Sequence, residues 1–353
     1  MPDINNITLK GKVIITGKIK TVTGLHIGGA AAGLDIGGID NPILRHPVTR
    51  EPYIPGSSLR GKMRSLLDRQ LGKMINKDIS SKPPKVRIHE CDNENEYSAC
   101  PVCQVFGITP GGDRKNWTNI KPTRLLVRDI QLTEEEKERL SKAKLDLPYT
   151  EVKWEAAIDR ITSAAVPRQN ERVPAGAVFG PFEFVYSLYD VDGAGAKQDA
   201  EWLRHVFEGM ELIEDDYIGG YGSRGAGKIA FDSLNVIFKS PGCYKGEEAE
   251  ALWAAGNLGE VKPAVFQKIT ELFAEKQQCQ QQMLFRPIGS AFVRRCGSAN
   301  AASVWKSAAR AFRRTRFSAR FVRRGGSCTA RTIWKLNFLP NSPRTRHKRR
   351  RFC

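Results

Sequence analysis

The sequence has no apolar run near the ~18–20 residues that a membrane-spanning helix needs. Its first residues, MPDINNITLKGK, contain no apolar signal-peptide core. These two absences disfavour a membrane protein and predict a cytoplasmic location. Histidine is scarce as well, with five in 353 residues, which disfavours chemistry that relies on pairs of histidines as acid and base. Hydrophobic residues make up 41% of the chain, and this is enough for a buried core.

Acidic residues are absent from the last 75 positions. Residues 279–353 hold 16 Arg and 3 Lys, a charge of +19, whereas the whole chain carries +18. The first 278 residues therefore sum to 18 − 19 = −1, so any affinity for nucleic acid there must come from local patches. Residues 283–353 are interpreted as a basic RNA-binding arm, a disordered tail or out-of-frame translation. We favour the last of these and exclude this segment from the fold.

Four segments rich in β-branched and aromatic residues are typical of strands: Lys12–Val22, Arg124–Leu132, Val178–Tyr189 and Ile229–Phe238. Two segments repeat apolar residues at helical spacing: Leu59–Leu71 and Trp202–Ile213. Strands that alternate with two helices predict an α+β domain over residues 1–248, built as a split βαβ, ferredoxin-like sheet with loop insertions. Residues 249–282 are expected to form a short helical appendage.

The most informative stretch runs from Leu25 to Leu67. It contains a glycine-rich segment with two carboxylates, Asp35 and Asp40, and spacing alone does not separate their roles. A Pro-Gly-Ser-Ser turn follows, in which Ser57 or Ser58 is expected to cap the next helix. Serines at a helix start with basic residues behind them are typical of a phosphate site; the basic residues are Arg60, Lys62 and Arg64. A carboxylate beside bound phosphate would suit metal-assisted cleavage, although an acidic loop residue more often caps a turn.

A predicted insertion at about residues 73–123 contains the pattern His89-x-Cys91-x8-Cys100-x2-Cys103. A Cys-x-x-Cys pair with two further N or S donors can close a tetrahedral zinc shell that has no open position. We therefore expect a structural Zn²⁺ site that holds an insertion without a core of its own. The alternative is three unconnected thiols beside a histidine.

Two further segments have both a functional and a structural interpretation. The Gly219–Lys228 loop contains Arg224 and Lys228 but leads into a strand, which argues against a nucleotide-hydrolysing P-loop. It is either a cradle for sugar-phosphate or a tight turn. The segment Thr150–Val173 is a predicted hairpin that carries Arg160 and Arg168. It is either an ordinary exposed hairpin or a finger that touches nucleic acid or another subunit.

Taken in order, these motifs resemble the repeated backbone subunit of type III-A CRISPR interference complexes, a RAMP-superfamily protein. The resemblance covers roughly residues 11–238. The matching motifs are Leu25–Gly29, Gly38–Pro42, Ile54–Arg64, Asp159–Thr162 and Gly219–Gly227. It does not extend to the tail.

The resemblance implies a modified RRM-like fold whose copies stack head to tail on a CRISPR guide RNA with other subunits of the effector complex. It implies that Thr150–Val173 is a thumb that displaces base pairs, and that Asp40 supports Mg²⁺- or Mn²⁺-dependent cleavage of single-stranded target RNA at regular intervals. It assigns guide-RNA binding to a set of positions: His26, Ser57, Ser58, Arg60, Lys62, Arg64, Gly222, Ser223, Arg224, Gly225 and Lys228.

Three other functions stay open. One is a non-catalytic guide-RNA scaffold in which Asp40 is only structural. Another is a metal-independent, histidine-based enzyme that processes guide RNA, which the shortage of histidines disfavours. The last is a zinc-stabilised RNA chaperone.

Overall fold

The structure is a computed structural model that describes residues 6–29, 39–80, 83, 85–109, 117, 120–191, 196–261, 263–269 and 271–272. The strands are β1 Ile7–Thr21, β2 Tyr53–Ile54, β3 Lys77–Asp78, β4 Arg87–Ile88, β5 Leu125–Val127, β6 Ile130–Gln131, β7 Glu151–Ile158, β8 Ala165–Arg172, β9 Val178–Val191, β10 Ile229–Lys239 and β11 Glu250–Gly256. The α-helices are α1 Gly56–Gln70, α2 Glu94–Ala99, α3 Pro101–Phe106, α4 Glu134–Lys142, α5 Lys197–Trp202 and α6 Arg204–Asp215.

The centre of the fold is an antiparallel sheet with the strand order β11-β10-β1-β9-β5. The central strand β1 alternates strictly from Gly11 to Thr21: every odd-numbered residue is buried, including Val13, Ile15 and Ile19, and every even-numbered residue is more exposed. This period of two identifies the face of the sheet that the helices cover. The strand begins at Ile7, earlier than predicted, because its first residues pair with the last residues of β9.

Helices α1 and α6 pack against each other, and α6 also contacts β10. The apolar stripe predicted for α1 is buried through Leu59, Met63 and Leu67. The helices meet at Gly209, where an added Cβ would lie 3.2 Å from both Leu67 Cδ1 and Met63 Cε. An added methyl would have to push both side chains aside by a few tenths of an ångström, so glycine favours this close helix approach.

The strand predicted at Arg124–Leu132 is in fact two short strands, β5 and β6. The first pairs with β9 at the sheet edge, whereas the second pairs with β2. Asp129 lies at the break between them and accepts a hydrogen bond from Gly56 N at 2.8 Å. The break thus places a carboxylate at the start of α1, where the helix dipole favours negative charge.

A buried ion pair fixes α5 against the sheet. Arg124 is 1% exposed and Asp199 is 4% exposed. Arg124 Nε lies 3.2 Å from both carboxylate oxygens of Asp199, and Nη2 lies 3.1 Å from Oδ1. Tyr189 N donates to Oδ2 at 2.9 Å, and the Tyr186 hydroxyl donates to Asp199 O at 2.7 Å. The carboxylate is therefore fully engaged inside the core.

Strands β7 and β8 form the predicted hairpin, with a register that runs from Glu151↔Arg172 to Ile158↔Ala165. It is separate from the main sheet. Its outer part is solvent-exposed, and Ile161 at the turn is 92% exposed.

The helical appendage predicted from residue 249 is wrong in its first part. Strand β11 occupies Glu250–Gly256 and extends the sheet beside β10, because the free edge of β10 supplies hydrogen-bond partners that sequence periodicity does not show. Helical residues follow at 258–261 and 263–269. The predicted tail lies outside the described residues. Among the residues described, no helix is long and apolar enough to cross a membrane.

Candidate functional site

Asp40 is exposed and lies beside the base of the hairpin. Its Oδ2 accepts a hydrogen bond from the backbone amide of Gln169 on β8, at 3.1 Å. The competing carboxylate, Asp35, lies outside the described residues. The structure therefore locates one of the two candidate carboxylates, at a point where it can meet a ligand that touches the hairpin.

The chain after Asp40 is attached to the same strand. Asn41 Nδ2 donates to Asn170 Oδ1 at 2.9 Å, and Glu171 N donates to Asn41 O at 3.2 Å. The amide of Ile43 donates to Glu171 Oε2 at 2.9 Å. These bonds hold the loop of Asp40 in register with β8.

Glu171 is the centre of this attachment and is 2% exposed. Its Oε1 accepts from Arg45 Nη2 at 2.5 Å and from Thr150 Oγ1 at 2.7 Å. Arg45 in turn donates to Pro148 O at 3.0 Å. A buried charge of this kind is stable only when it is paired and hydrogen-bonded. The sequence showed no sign of this network, because Arg45 lies more than 100 positions from Pro148, Thr150 and Glu171 and only packing brings it to them.

His26 links the hairpin to the glycine-rich loop. It is 6% exposed, and its Nδ1 donates to Glu171 O at 2.6 Å. Its ring meets the ring of Tyr221 edge-on, with 4.8 Å between the centroids, and its carbonyl accepts from Gly220 N at 2.8 Å. His26 therefore supports the loop from the inside.

The loop turns sharply at Gly219, Gly225 and Gly227, which have φ values of +75°, +82° and +85°. A Cβ at Gly219 would overlap His26 O, so glycine is required there both for its φ and for the close approach. Ser223 is exposed within the short 3₁₀ turn Gly222–Arg224. The glycines thus serve a tight turn, and this turn also presents polar groups to solvent.

Charged side chains join the loop to the hairpin. Lys153 Nζ lies 2.8 Å from Glu155, and Arg224 Nη1 lies 3.4 Å from the same carboxylate. The hydrogen bond from Lys153 lowers the pKa of Glu155. Lys228 is exposed and lines a cavity of about 390 Å³, together with Ser223 and residues at the end of α6. Four of the predicted RNA-binding residues of the loop, Gly222, Ser223, Gly225 and Lys228, therefore lie around a recess that Asp215 and Asp216 also line.

The start of α1 differs from the prediction. Neither serine caps the helix: Pro55 occupies the N-cap position without a side-chain bond, and Asp129 serves instead. Ser57 is exposed and Ser58 is half-buried. Lys62 lies 2.9 Å from Asp216 and 3.8 Å from the centroid of the Tyr217 ring. It therefore points toward the same recess as the loop.

The other two basic residues of α1 that were predicted to bind RNA, Arg60 and Arg64, contact the insertion. Arg64 Nη2 donates to His89 O at 2.7 Å, and Arg60 Nη2 donates to Phe106 O. Burial, followed by the charge of Arg64, lowers the pKa of Arg60. On the hairpin, Arg160 and Arg168 are both exposed, as a role in contacting RNA would require.

The predicted cysteine cluster is brought together in the insertion. His89, Cys91, Cys100 and Cys103 are all buried, and their ligand atoms lie within 4.8 Å of one another. Cys91 Sγ is 3.5 Å from Cys103 Sγ and 3.7 Å from His89 Nε2, and Cys100 Sγ is 3.4 Å from the same nitrogen. A tetrahedral ion with zinc-ligand bonds of about 2.0–2.3 Å places its ligand atoms at about this separation.

The protonation chemistry of the cluster also suits a cation. His89 Nδ1 donates to Met74 O at 2.9 Å, which leaves Nε2 free to bind a metal. Hydrogen bonds from Cys103 and then Cys91 lower the pKa of Cys100, whereas the bond to Cys100 raises that of Cys91. The pKa of Cys103 is raised to about 12. Only Cys100 is therefore favoured as a thiolate without a cation, and all three sulfurs would be held as thiolates at this separation only if a cation were bound among them.

Comparison with known proteins gives the family. The RAMP superfamily model matches residues 18–230. The chain belongs to the RAMP superfamily. The matched region includes α1, the insertion, the hairpin and the glycine-rich loop, so the candidate site lies entirely within the RAMP part of the chain.

Two curated RAMP relatives carry the name CRISPR system Cms endoribonuclease Csm3. The protein from Methanothermobacter thermautotrophicus is 42% identical over 249 residues, 67% of this chain and 91% of its own length. The protein from Methanocaldococcus jannaschii is 41% identical over 248 residues, 69% of this chain and 88% of its own. A solved Csm3-Csm4 subcomplex of the type III-A CRISPR-Cas interference complex has a chain 29% identical to this one. That match covers 74% of this chain and 97% of that chain, with a TM-score of 0.44.

Proposed function

We propose that this RAMP protein is a guide-RNA-binding backbone subunit of a type III-A CRISPR effector complex in the cytoplasm. It cleaves complementary target RNA at regular intervals, with Asp40 as the catalytic residue. The observation that carries this proposal is the attachment of an exposed carboxylate to the base of a protruding hairpin. Its relatives of 41–42% identity are named endoribonucleases.

The geometry around Asp40 supports a catalytic role over that of a turn cap. One carboxylate oxygen is held by the Gln169 amide, and within the described part of the chain no hydrogen bond is recorded to the other. Because Asn41 and Ile43 are bonded to β8, the carboxylate is held in a defined place before substrate arrives. Such preorganisation is what a catalytic group needs.

RNA supplies its own nucleophile, the 2′-hydroxyl, once a nucleotide is splayed so that attack on the adjacent phosphate is in line. The hairpin is suited to splaying bases, since Trp154, Ile158 and Ile161 are exposed apolar side chains that can stack on or wedge between bases. Asp40 would then hold a divalent ion or accept the hydroxyl proton. A bound Mg²⁺ or Mn²⁺ would stabilise the charge that develops on the phosphate.

Guide RNA would lie along the opposite side of the hairpin base. Lys62 on α1, the Gly222–Gly225 turn and Lys228 lie around the recess beside α6, and Ser57 and Ser58 would add hydroxyl groups from the start of α1. Exposed Arg160 and Arg168 would contact the guide–target duplex. Backbone amides and basic side chains of this kind bind phosphates without sequence preference, as a subunit that must accept any guide requires.

The proposal includes three finer points. The order β10-β1-β9-β5, with α1 and α6 packed together, is the arrangement expected of a ferredoxin-like, RRM-like split βαβ. The four donors of the insertion suit structural Zn²⁺. Further copies of this chain and other subunits would extend the assembly in a heterologous, non-closing stack.

The deciding experiment compares Asp40→Asn with wild type in a complex assembled on guide RNA. The asparagine keeps an oxygen for the Gln169 amide, so the loop stays in place. We expect regular cuts in labelled target RNA with Mg²⁺, which disappear in the variant and with EDTA, while guide and target binding persist. Asp78→Asn, an exposed aspartate on β3, is the matched control and should cleave normally.

Two outcomes would contradict the proposal. Binding without cuts by wild type would leave the non-catalytic scaffold as the function. Loss of assembly in Asp40→Asn would make Asp40 a structural residue.

A further inference from the structure

Two arginines of α1 are held by the insertion through backbone carbonyls. Arg64 donates to His89 O at 2.7 Å, and Arg60 donates to Phe106 O and lies 5.6 Å from the centroid of the Phe106 ring. Each carbonyl lies next to the metal cluster along the chain. His89 is one of the four ligand residues, and Phe106 ends α3, the short helix that contains Cys103.

The insertion has little regular structure of its own to keep those carbonyls in place. Strands β3 and β4 have two residues each, and α2 and α3 have six residues each. Helices this short are not stable by themselves. Cys91, Cys100 and Cys103 are 2%, 2% and 0% exposed at the centre of this small unit, so the cluster connects its parts.

The α1 side of this contact is crowded with charge. The like charge of Arg64, after burial, lowers the pKa of Arg60. Asp68, one turn beyond Arg64, is 3% exposed and has an Oδ1 atom without a recorded partner. Arg64 Nε is likewise buried without one. The two carbonyls of the insertion are therefore the hydrogen-bond acceptors that fix the directions of these two guanidiniums.

We infer that the metal-bound cluster positions Arg60 and Arg64, so that metal occupancy of the insertion controls the affinity of α1 for RNA. This inference rests on the proposed function, which assigns α1 to the guide. A guanidinium has five N–H donors, so each arginine can bond a carbonyl and still face a phosphate. Without the ion the carbonyls lose their fixed positions, and binding must then order the two side chains at a cost in affinity.

The first test measures the two side chains directly, without RNA. Full-length protein is labelled with phenylglyoxal, and the rate at each arginine is read by peptide mass spectrometry. In zinc-loaded protein, Arg60 and Arg64 should react slowly, whereas Arg69 on the same helix is exposed and should react fast. In Cys100→Ser, with its metal content measured, both should approach the rate of Arg69. Cys243→Ser, a cysteine outside the cluster, is the matched control and should behave like wild type.

The second test measures the consequence for RNA. Affinity for single-stranded guide RNA should fall at least ~10-fold in Cys100→Ser, which corresponds to ~1.4 kcal/mol. Adding Arg60→Ala and Arg64→Ala to Cys100→Ser should lower the affinity by much less than the same two substitutions lower it in wild type. Such non-additivity is the signature of residues that act as one unit. Arg69→Ala should bind almost normally. Zinc-selective chelation of wild type, followed by reloading, should lower and then restore affinity, which guards against a misfolded variant.

The outcomes separate the two proposals. Unchanged labelling of Arg60 and Arg64 after metal loss would overturn the coupling, whatever happens to RNA. Full additivity of the cysteine and arginine substitutions would overturn it as well. Failure of zinc-loaded wild type to bind guide RNA would instead overturn the proposed function, and the labelling result would still decide whether the cluster positions the arginines.

Discussion

Replacing Asp199 by alanine tests the account of the core. The substitution removes the only carboxylate bonded to the buried guanidinium of Arg124 among the described residues. It also takes the acceptor from Tyr189 N. Arg124 would keep Pro122 O as an acceptor, and the rings of Tyr189 and Trp202 would remain about 6 Å away. Neither the carbonyl nor the two rings can replace the negative charge of the lost carboxylate.

The expected cost is large because both partners are almost completely buried. Removing one member of a buried ion pair typically destabilises a protein by about 3–5 kcal/mol, since the remaining charge stays in a low dielectric. For a domain of this size, that corresponds to a fall in Tm of roughly 6–20 °C. The exposed pair Arg128–Glu183 provides the matched control, and Glu183→Ala should cost about 1 kcal/mol or less.

Urea unfolding followed by circular dichroism would measure both variants on the full chain. The double variant Arg124→Met/Asp199→Leu should recover most of the stability, because an apolar pair of similar volume avoids burying charge. An Asp199→Ala variant that loses no more free energy of unfolding than Glu183→Ala would refute this reasoning. It would show that Arg124 reaches solvent or another partner at little cost.

Three further predictions follow from individual contacts. Gly219→Ala should lower the free energy of unfolding by about 1–3 kcal/mol, because its φ is positive and the new Cβ meets His26 O; a thermal melt that matches wild type would contradict this. Burial raises the pKa of Glu214, so this group favours the folded state less as pH rises above its ordinary value of 4.5. Glu214→Gln should therefore be more stable than wild type near pH 7 but not at pH 4, as equilibrium unfolding at the two pH values can show. Cys103→Ser should lose the bound metal, measured by atomic emission, and should increase hydrogen exchange in the insertion; full metal retention would argue against the ligand set.

The sequence was most informative where chemistry is local. Segments rich in β-branched and aromatic residues predicted β9 and β10 to within two residues, and β1 apart from its first five, because such residues suit a half-buried strand. The Cys-x-x-Cys pair with His89 and Cys91 predicted a cluster, because ligands so close along the chain can surround one ion with little cost in loop closure. The hairpin and the glycine-rich turn were predicted as well, because each is formed by residues that are close along the chain.

What the sequence alone could not show depends on partners that are distant along the chain. The cap of α1 comes from Asp129, 73 positions after Gly56, so the adjacent serines looked like the better choice. Strand β11 forms because β10 offers an open edge, and no local pattern in its own residues requires a strand. The loop of Asp40 is held by Glu171 and Arg45, a network that exists only once the hairpin base has packed.

The sequence by itself determined the types of most elements, the members of the cysteine–histidine cluster and the family resemblance, since each depends on residues that are near neighbours or on motifs in a fixed order. Only the tertiary structure decided which charges face solvent. The basic residues of α1 looked alike in sequence, yet Lys62 turns to the recess beside α6, whereas Arg60 and Arg64 are bonded to the insertion. The physical reason is that a side chain's role depends on the groups packed against it, and packing brings together segments that the linear order keeps apart.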